Sequence, residues 1–505
     1  MIRLPITRAL ISVSDKTGLI GFAGRLHRAG VELISSGGTA LALSEAGIPV
    51  TAVSDVTGAP EMLGGRVKTL HPAIHVGILA DLGDGSHRSD LAERSIEPFG
   101  LVVVNLYPFE ATVAAGAPVA EIVENIDIGG PTLIRAAAKN HAWVTTVVSP
   151  DRYAEVADAI DEGGTTASMR ESLAREAFFL TAQYDAAIVN WLEDDEADRL
   201  ALTLSKVSDA RYGENPHQPA ALYAVGASEG WWAGAELAQG KAMSFNNYAD
   251  ADAAWRLAND LPRGSAAILK HTNACGAAIG KSVHEAFRKA WACDPISAFG
   301  GVVALNGPLD EDTALEISRY FVEIVIAPSI SNEARAVLAR KKNLRVLIAP
   351  APSSDGLDLR SIDDGFLVQE RDSVQLGSGE WEGRSRNPTA YELRNLEVAW
   401  VVAAHTKSNA VVVVNDGAAV GVGAGDQSRV GAAERALAKA GERSLGAVAA
   451  SDGFFPFRDG IDALAEAGIT AIVEPGGSVR DDEVIEAAKE HDVAIMFTHR
   501  RHFRH

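Results

Sequence analysis

The stretch PFGLVVVNLYPFE (98–110) decides the architecture of the first half of the chain. Its centre, Leu101–Val104, is an unbroken apolar run and mostly β-branched. That is the pattern of a strand covered on both faces, not of one with a wet side. Working outward, RALISVSD (8–15) and WVTTVVSP (143–150) are similar short runs that end in polar residues. KTGLIGFAGRLHRAG (16–30) spaces Leu19, Phe22, Ala23 and Leu26 as one face of a helix and stops at Gly30. VELISSGGTALALSEAG (31–47) repeats the plan. Strand, Gly-rich turn and helix in alternation predict an α/β domain with a parallel sheet, whose ligands bind at the carboxyl ends of the strands. The polar clusters of this half fall at those ends.

The acidic stretch WLEDDEADRLALTL (191–204) follows a long helical pattern and predicts a boundary near Glu193–Asp198; a solvated helix face is the alternative. Beyond RYGENPHQ (211–218) the texture changes, with more Trp, Asn and Pro-Gly punctuation. A weak echo pairs ILKHTNACGAAIG (268–280) with HTKSNAVVVVNDGAAVGVGAG (405–425), and DPISAFGGVVAL (294–305) with ASDGFFPFRDGIDAL (450–464). We read it as a duplicated α/β unit. The expected domains are 1–198 and 199–505, the latter in two subdomains near 199–365 and 366–505.

The whole chain has 505 residues, roughly three domains' worth, and enough to bury its cores without disulfides. Its net charge of −21 argues against a general nucleic-acid binder and against an anionic membrane surface. An anionic small substrate then needs a locally basic pocket. Two cysteines, Cys275 and Cys293, make no disulfide framework, which fits a reducing cytoplasm. No apolar run reaches the roughly 18 residues of a membrane span, and no secretory leader is expected. GAAIGKS (276–282) is one residue short of a P-loop, GVGAGD (421–426) is not a dinucleotide fingerprint, and no zinc-deaminase signature occurs, so no metal site is expected.

Three constellations remain. SVSDK (12–16) and SSGGT (35–39) each lie between a strand and a helix. Helix N-terminal amides, hydroxyls and Lys16 suit a phosphate, with Ser14 and Thr39 expected to cap as well as bind. GRVKTLHPAIH (65–75), NLYPF (105–109) and ENIDIGGPTLIRAAAKNH (124–141) supply Arg66, Lys68, His71, His75, Tyr107, Asp127, Lys139 and His141. Asp127 precedes a Gly-Gly turn and a Pro-started helix, so Asp127 and Lys139 are expected to face one cleft from opposite ends of a helix-bearing unit. Third, Lys270 and His271 follow the apolar run 266–269, a strand end, and a lysine ammonium beside a histidine favours its neutral, proton-accepting form. Phe454, Phe455 and Phe457 are either a stack for a flat ring or core aromatics.

Together these segments, with SRV (428–430), FFPFRD (454–459) and RHFRH (501–505), resemble the bifunctional purine-biosynthesis family that joins aminoimidazole carboxamide ribonucleotide (AICAR) formyltransferase to inosine monophosphate (IMP) cyclohydrolase. The motifs run in family order over nearly the whole chain. The resemblance implies a methylglyoxal-synthase-like N-terminal domain, a pair of zinc-free cytidine-deaminase-like subdomains, and a homodimer sharing its transferase site. It implies nucleotide and phosphate contacts at Ser12, Ser14, Lys16, Ser36, Gly37, Gly38 and Thr39. It implies a cyclohydrolase pocket of Arg66, Lys68, Thr69, Asn105, Tyr107, Asp127, Gly129, Gly130 and Lys139, with Lys68, Tyr107, Asp127 and Lys139 as chemical core. For the transferase it implies Arg211, Tyr212, Asn247, Lys270, His271, Gly300, Asn409, Arg429, Phe454, Phe457, Asp459, Arg501 and His505.

The cosubstrate so implied is 10-formyltetrahydrofolate; the substrates and products are AICAR, formyl-AICAR and IMP. His271 would act as base, with Lys270 and Asn409 on the oxyanion. No catalytic metal is implied, and room is left for a structural monovalent cation. The chain departs from the family at Ala274, where Pro is usual, at Asp426, where Gln is usual, and at His499 and Arg500. A nucleotide-sensing protein without turnover, and a folate hydrolase, are the rival readings.

Overall fold

A computed structural model describes residues 2–193, 198–226, 230–374 and 377–505. The chain forms two compact units, Met1–Ser205 and Lys206–His505. The expected boundary at Glu193–Asp198 runs over residues 194–197, outside the described residues.

The first unit is built on a five-stranded parallel sheet: β1 (Arg8–Ser12), β2 (Glu32–Ser35), β3 (Thr51–Ala52), β4 (Leu101–Val104) and β5 (Thr145–Val147), in the order β3-β2-β1-β4-β5. All four residues of β4 are buried. Leu101 and Val103 point to one face, where α1 (Leu19–Arg28) packs Leu19, Phe22, Ala23 and Leu26 against them. Val102 and Val104 point to the other, against Leu133, Ile134 and Ala137 of α3 (Gly129–Lys139). α2 (Gly37–Glu45) follows β2 directly. The chain leaves β1 for β2 and β3, then returns to β1's other side as β4. That reversal opens a crevice at the carboxyl ends of β1, β2 and β4.

The second unit holds one twelve-stranded mixed sheet made of two similar halves. The first runs α4 (Phe245–Asp260), β6 (Ala266–Lys270), β7 (Asn273–Ala278), α5 (Val283–Cys293), β8 (Val302–Leu305), α6 (Glu311–Ser318), β9 (Ile324–Ala327), α7 (Asn332–Leu338), β10 (Arg345–Ile348). The second runs α8 (Ala390–Ala404), β11 (Val411–Asn415), β12 (Ala418–Gly423), α9 (Arg429–Ala440), β13 (Val448–Ser451), α10 (Asp459–Glu466), β14 (Ala471–Glu474), α11 (Asp481–Glu490), β15 (Ala494–Phe497). The halves join where β7 pairs β12 antiparallel, and a short strand closes each outer edge. α4 and α8 both lie in one core on a single face of the sheet.

The duplication is present, but in another register than the sequence echo suggests. Lys270–His271 lies at the end of β6, whereas His405–Asn409 precedes β11, its counterpart. The polar clusters sit at opposite ends of equivalent strands. The expected division at 365/366 falls within an exposed hairpin, Leu357–Ile362 with Gly365–Glu370, in the connection between the halves.

Candidate functional sites

In the first unit a cleft of about 600 Å³ opens at the carboxyl ends of β1, β2 and β4. Ser12, Ser14, Lys16, Ser36, Gly37, Gly38, Thr39, Arg66, Lys68, Thr69, Asn105, Tyr107, Asp127, Gly129 and Gly130 all line it. Ser36 precedes α2 without a side-chain cap bond, so the amides of Gly37, Gly38 and Thr39 keep their donors for a ligand. Gly37 has φ 54°, and a Cβ there would meet Lys68 Nζ at 3.0 Å.

The capping expected of Ser14 and Thr39 is not what they do. Thr39 Oγ1 accepts from Val13 N (3.1 Å) and donates to Val13 O (3.0 Å), tying the β1 loop to α2. Asn105 grips the same loop: its Oδ1 accepts from Ser14 N (2.6 Å) and Asp15 N (3.1 Å). Both residues shape the cleft from behind. The Gly129-Gly130 pair is the first turn of α3, not a turn ahead of it, and Asp127 Oδ1 accepts from Gly130 N at 2.8 Å. Burial raises the Asp127 carboxyl above its ordinary range, opposed by amides of Gly130, Tyr107 and Gly129.

Lys139 does not face this cleft. It is exposed at the C-terminal end of α3, about 15 Å along the axis from Gly129. A carboxylate before a helix and a lysine at its end lie on opposite ends of a rod, so the expected pairing of Asp127 with Lys139 is corrected. His71 caps the helix Pro72–Leu79 through Nδ1, and His75 is half-buried, its basicity lowered by burial. Sequence reading passed over two carboxylates here. Glu124 pairs with Arg66, and Glu61 Oε2 lies 3.6 Å from Lys68 Nζ.

In the second unit the candidates form two groups at one edge of the sheet. Lys270 ends β6 and donates from Nζ to Phe299 O (2.9 Å), beside Gly300 (φ 75°). His271 is exposed in the turn between β6 and β7. Asn247 caps α4 in a reciprocal box with Ser244 and donates to Glu323 Oε2 at 3.1 Å; Arg211 and Tyr212 join the same strip through Met243 O and Phe245 N.

The other group surrounds a cleft of about 470 Å³ lined by Asn409, Arg429, Phe454, Phe457, Asp459 and Phe503, among others. Arg429 is buried, paired with the fully buried Asp452, and donates to Ser451 Oγ (2.8 Å) and Asn409 Oδ1 (2.7 Å). Asn409 Nδ2 donates to Asp426 O at 2.9 Å, so its amide is engaged on both sides. The three phenylalanines divide: Phe455 is 1% exposed and belongs to the core, while Phe454 (40%) and Phe457 (46%) open on the cleft. The tail returns here, with the Arg501 guanidinium 4.5 Å from the Phe503 ring centre and His505 edge-on to the same ring. Asn273 Oδ1 accepts from Lys407 N (3.0 Å) and links the two groups.

Asp426 has a partner for its charge: Arg435 donates to it at 2.7 Å, and it accepts from Ser428 N. Ala274 is buried in β7. Sequence reading missed Asp250, Glu323, Asp452 and Glu474. Burial pushes the Glu474 carboxyl up to about 8, and its Oε2 accepts from Phe455 N at 2.6 Å. Asp452 and Glu474 are marked only by their full burial, and Asp250 and Glu323 only by the hydrogen bonds they accept from Thr272 N and Asn247 Nδ2. Among the described residues no helix is long and apolar enough to cross a membrane.

Comparison with known proteins gives two family matches: an MGS-like domain over residues 18–132 and the AICARFT/IMPCHase bienzyme over residues 137–439. The chain is 52% identical to the bifunctional purine biosynthesis protein PurH of Rhodospirillum rubrum, covering 99% of both chains. It is 50% identical to PurH of Parvibaculum lavamentivorans (99% of this chain, 97% of that one) and 50% identical to PurH of Corynebacterium glutamicum (100% and 99%).

Proposed function

The chain belongs to the bifunctional purine biosynthesis family, an AICARFT/IMPCHase bienzyme with an MGS-like domain, and we propose how its two units divide the chemistry. It is a bifunctional enzyme of purine biosynthesis, an AICAR formyltransferase and IMP cyclohydrolase. Such a formyltransferase takes its one-carbon unit from a folate cosubstrate; on our reading this is 10-formyltetrahydrofolate.

We assign ring closure to the first unit. The observation that carries this is the gathering of fifteen candidate residues around one cleft. The substrate phosphate sits on the open amides of Gly37, Gly38 and Thr39 at the start of α2, with Ser36 and Lys16. The carboxamide nitrogen attacks the formyl carbon, and the formyl C–O bond breaks as the oxygen leaves as water, its two protons matching those lost from the carboxamide and formamido nitrogens. Lys68 and Tyr107 serve that oxygen, and Asp127 takes the amide proton. Lys139, away from the cleft, is given no step.

We assign formyl transfer to the second unit. The 5-amino nitrogen of AICAR attacks the formyl carbon, His271 takes its proton, and tetrahydrofolate leaves. Lys270 supplies positive charge to the oxyanion. Asn409 holds Arg429 beside the second cleft, and Phe454 and Phe457 offer faces for a flat ring. The buried Asp452 Oδ2, which has no partner among the described residues, is an atom that fits a structural monovalent cation. We further propose a cytoplasmic homodimer in which Arg501 and His505 serve the transferase site of the other copy.

Supplying AICAR and 10-formyltetrahydrofolate tests the whole. IMP is expected; no product would favour a sensing protein, and formate a hydrolase. Lys68→Ala is expected to stop cyclisation of supplied formyl-AICAR while sparing formyl transfer, and Lys139→Ala to change cyclisation by less than about 3-fold.

A further inference from the structure

The turn that carries His271 has only two residues. Lys270 pairs with Asn273 across the β6–β7 hairpin, leaving His271 and Thr272 between them. Both have left-handed backbone, φ 55° and 60°. A two-residue hairpin with positive φ at both positions is the type I′ turn, whose usual occupants are Asn-Gly or Asp-Gly. Histidine is one of the few side chains that enter that region with some ease, but a β-branched threonine there is an outlier. The strain of this turn therefore lies at Thr272.

The support comes from α4. Asp250 projects under the turn, and its Oδ1 accepts from Thr272 N at 2.6 Å. The amide of His271 also acts on this carboxylate. The His271 carbonyl is held from the other side, by Thr272 Oγ1 (2.7 Å) and Asn273 Nδ2 (3.2 Å). α4 is anchored by its Ser244–Asn247 capping box and by the Asn247–Glu323 bond. Burial raises the Asp250 carboxyl above its ordinary range, and the two amides oppose that shift. The hydrogen bonding of this half-buried carboxylate is thus directed at the backbone of the turn.

We propose that Asp250 is a positioning residue for formyl transfer, whose carboxylate holds the two-residue turn in the left-handed conformation that presents the His271 ring. This rests on His271 being the base assigned above. Asp250 touches no substrate; it acts through the backbone of residues 271 and 272.

The test uses full-length protein and reads kcat and KM for AICAR in formyl transfer, with cyclisation of supplied formyl-AICAR as control. Asp250→Ala is expected to lower kcat by about 10- to 100-fold, the scale of a displaced catalytic group, with KM within about 3-fold. Asp250→Asn keeps an acceptor oxygen and is expected to recover most of kcat. Thr272→Gly makes the turn conformation cheap without Asp250. Hence Asp250→Ala in the Thr272→Gly background is expected to change kcat by less than about 3-fold, a comparison that stands even where Asp250→Ala alone fails to fold. An undiminished kcat in Asp250→Ala, or an equal loss in the parent and Thr272→Gly backgrounds, would overturn the proposal. His271→Ala separates the two layers. If it keeps formyl transfer, the base assignment fails; if it is inactive while Asp250→Ala is fully active, only the positioning role fails.

Discussion

The two halves of the second unit run through the same elements in the same order, yet they bring opposite ends of equivalent strands to the candidate site. In the first half the site lies at the β6–β7 turn, His271–Thr272. In the second, the matching turn is Asp416–Gly417, where Asp416 pairs with Lys289. The second half instead uses the start of β11 and the end of β13, with Asn409 beside Arg429 and Asp452. The matching places in the first half are Gly264 and Asn306, whose backbones bond to each other (2.8 Å). Because β7 and β12 pair antiparallel, the halves point in opposite directions, and their unlike ends meet on one edge. A repeated fold therefore need not repeat its chemistry. Function depends on which strand ends carry polar side chains.

The two matched turns should differ most in their effect on catalysis. His271→Ala is expected to slow formyl transfer by about 10²–10⁴-fold, the scale of a lost general base. Steady-state rates with cyclisation as control would check it, and a wild-type rate would remove the functional asymmetry.

Packing should show the opposite, an equality. A Cβ on Gly276 would overlap the carbonyl oxygen of Ala290, and one on Gly421 that of Ala436. In each half the hairpin's second strand lies directly against the following helix. Gly276→Ala and Gly421→Ala should each destabilise by about 1–3 kcal/mol or more, seen in denaturant unfolding. A large loss at one and none at the other would end the equivalence of the halves.

A third expectation concerns one pair of matched positions. Ala327 ends β9 and Glu474 ends β14, both fully buried. The folded-state value of about 8 for Glu474 lies above the ordinary 4.5. Between these limits the native state holds a proton that the unfolded chain has lost. Stability from this group is therefore complete below about pH 4.5, falls as pH rises, and is lost above about pH 8. Glu474→Gln lacks that fall. Its melting temperature should exceed the parent's at pH 9, with the gap shrinking toward acid pH. A gap independent of pH would show that folding does not raise the Glu474 carboxyl.

The smallest effect belongs to Asp416→Ala. An exposed ion pair with Lys289 contributes at most about 1 kcal/mol, and formyl transfer should stay within about 2-fold. A larger kinetic loss would mean that the far edge of the sheet also serves the reaction.

Much of this was legible in the sequence, for identifiable reasons. β4 was readable because a strand buried on both faces needs an unbroken apolar run. α1 was readable because Leu19, Phe22, Ala23 and Leu26 fall on one helix face. The duplication was legible but misaligned, since matching KHTN to HTKSN aligns side chains and not strands. Thr39 was read as a cap because local sequence does not reveal that Val13 lies across from it. Asp127 and Lys139 flank one Pro-started helix in the sequence, but its eleven residues are long enough to carry Lys139 away from the cleft. Asp452 and Glu474 look like any surface carboxylates in a linear string; only the fold buries them.

In the cleft of the first unit, Arg66 and Lys68 already face carboxylates, Glu124 and Glu61. On the reading proposed above, an anionic substrate that approaches them trades places with tethered anions whose local concentration is fixed by short loops. A weak or singly charged anion gains nothing from that exchange. A dianion that also takes the amides of α2 can win it. In a chain of net charge −21, the cleft thus selects for charge density without any residue dedicated to repulsion.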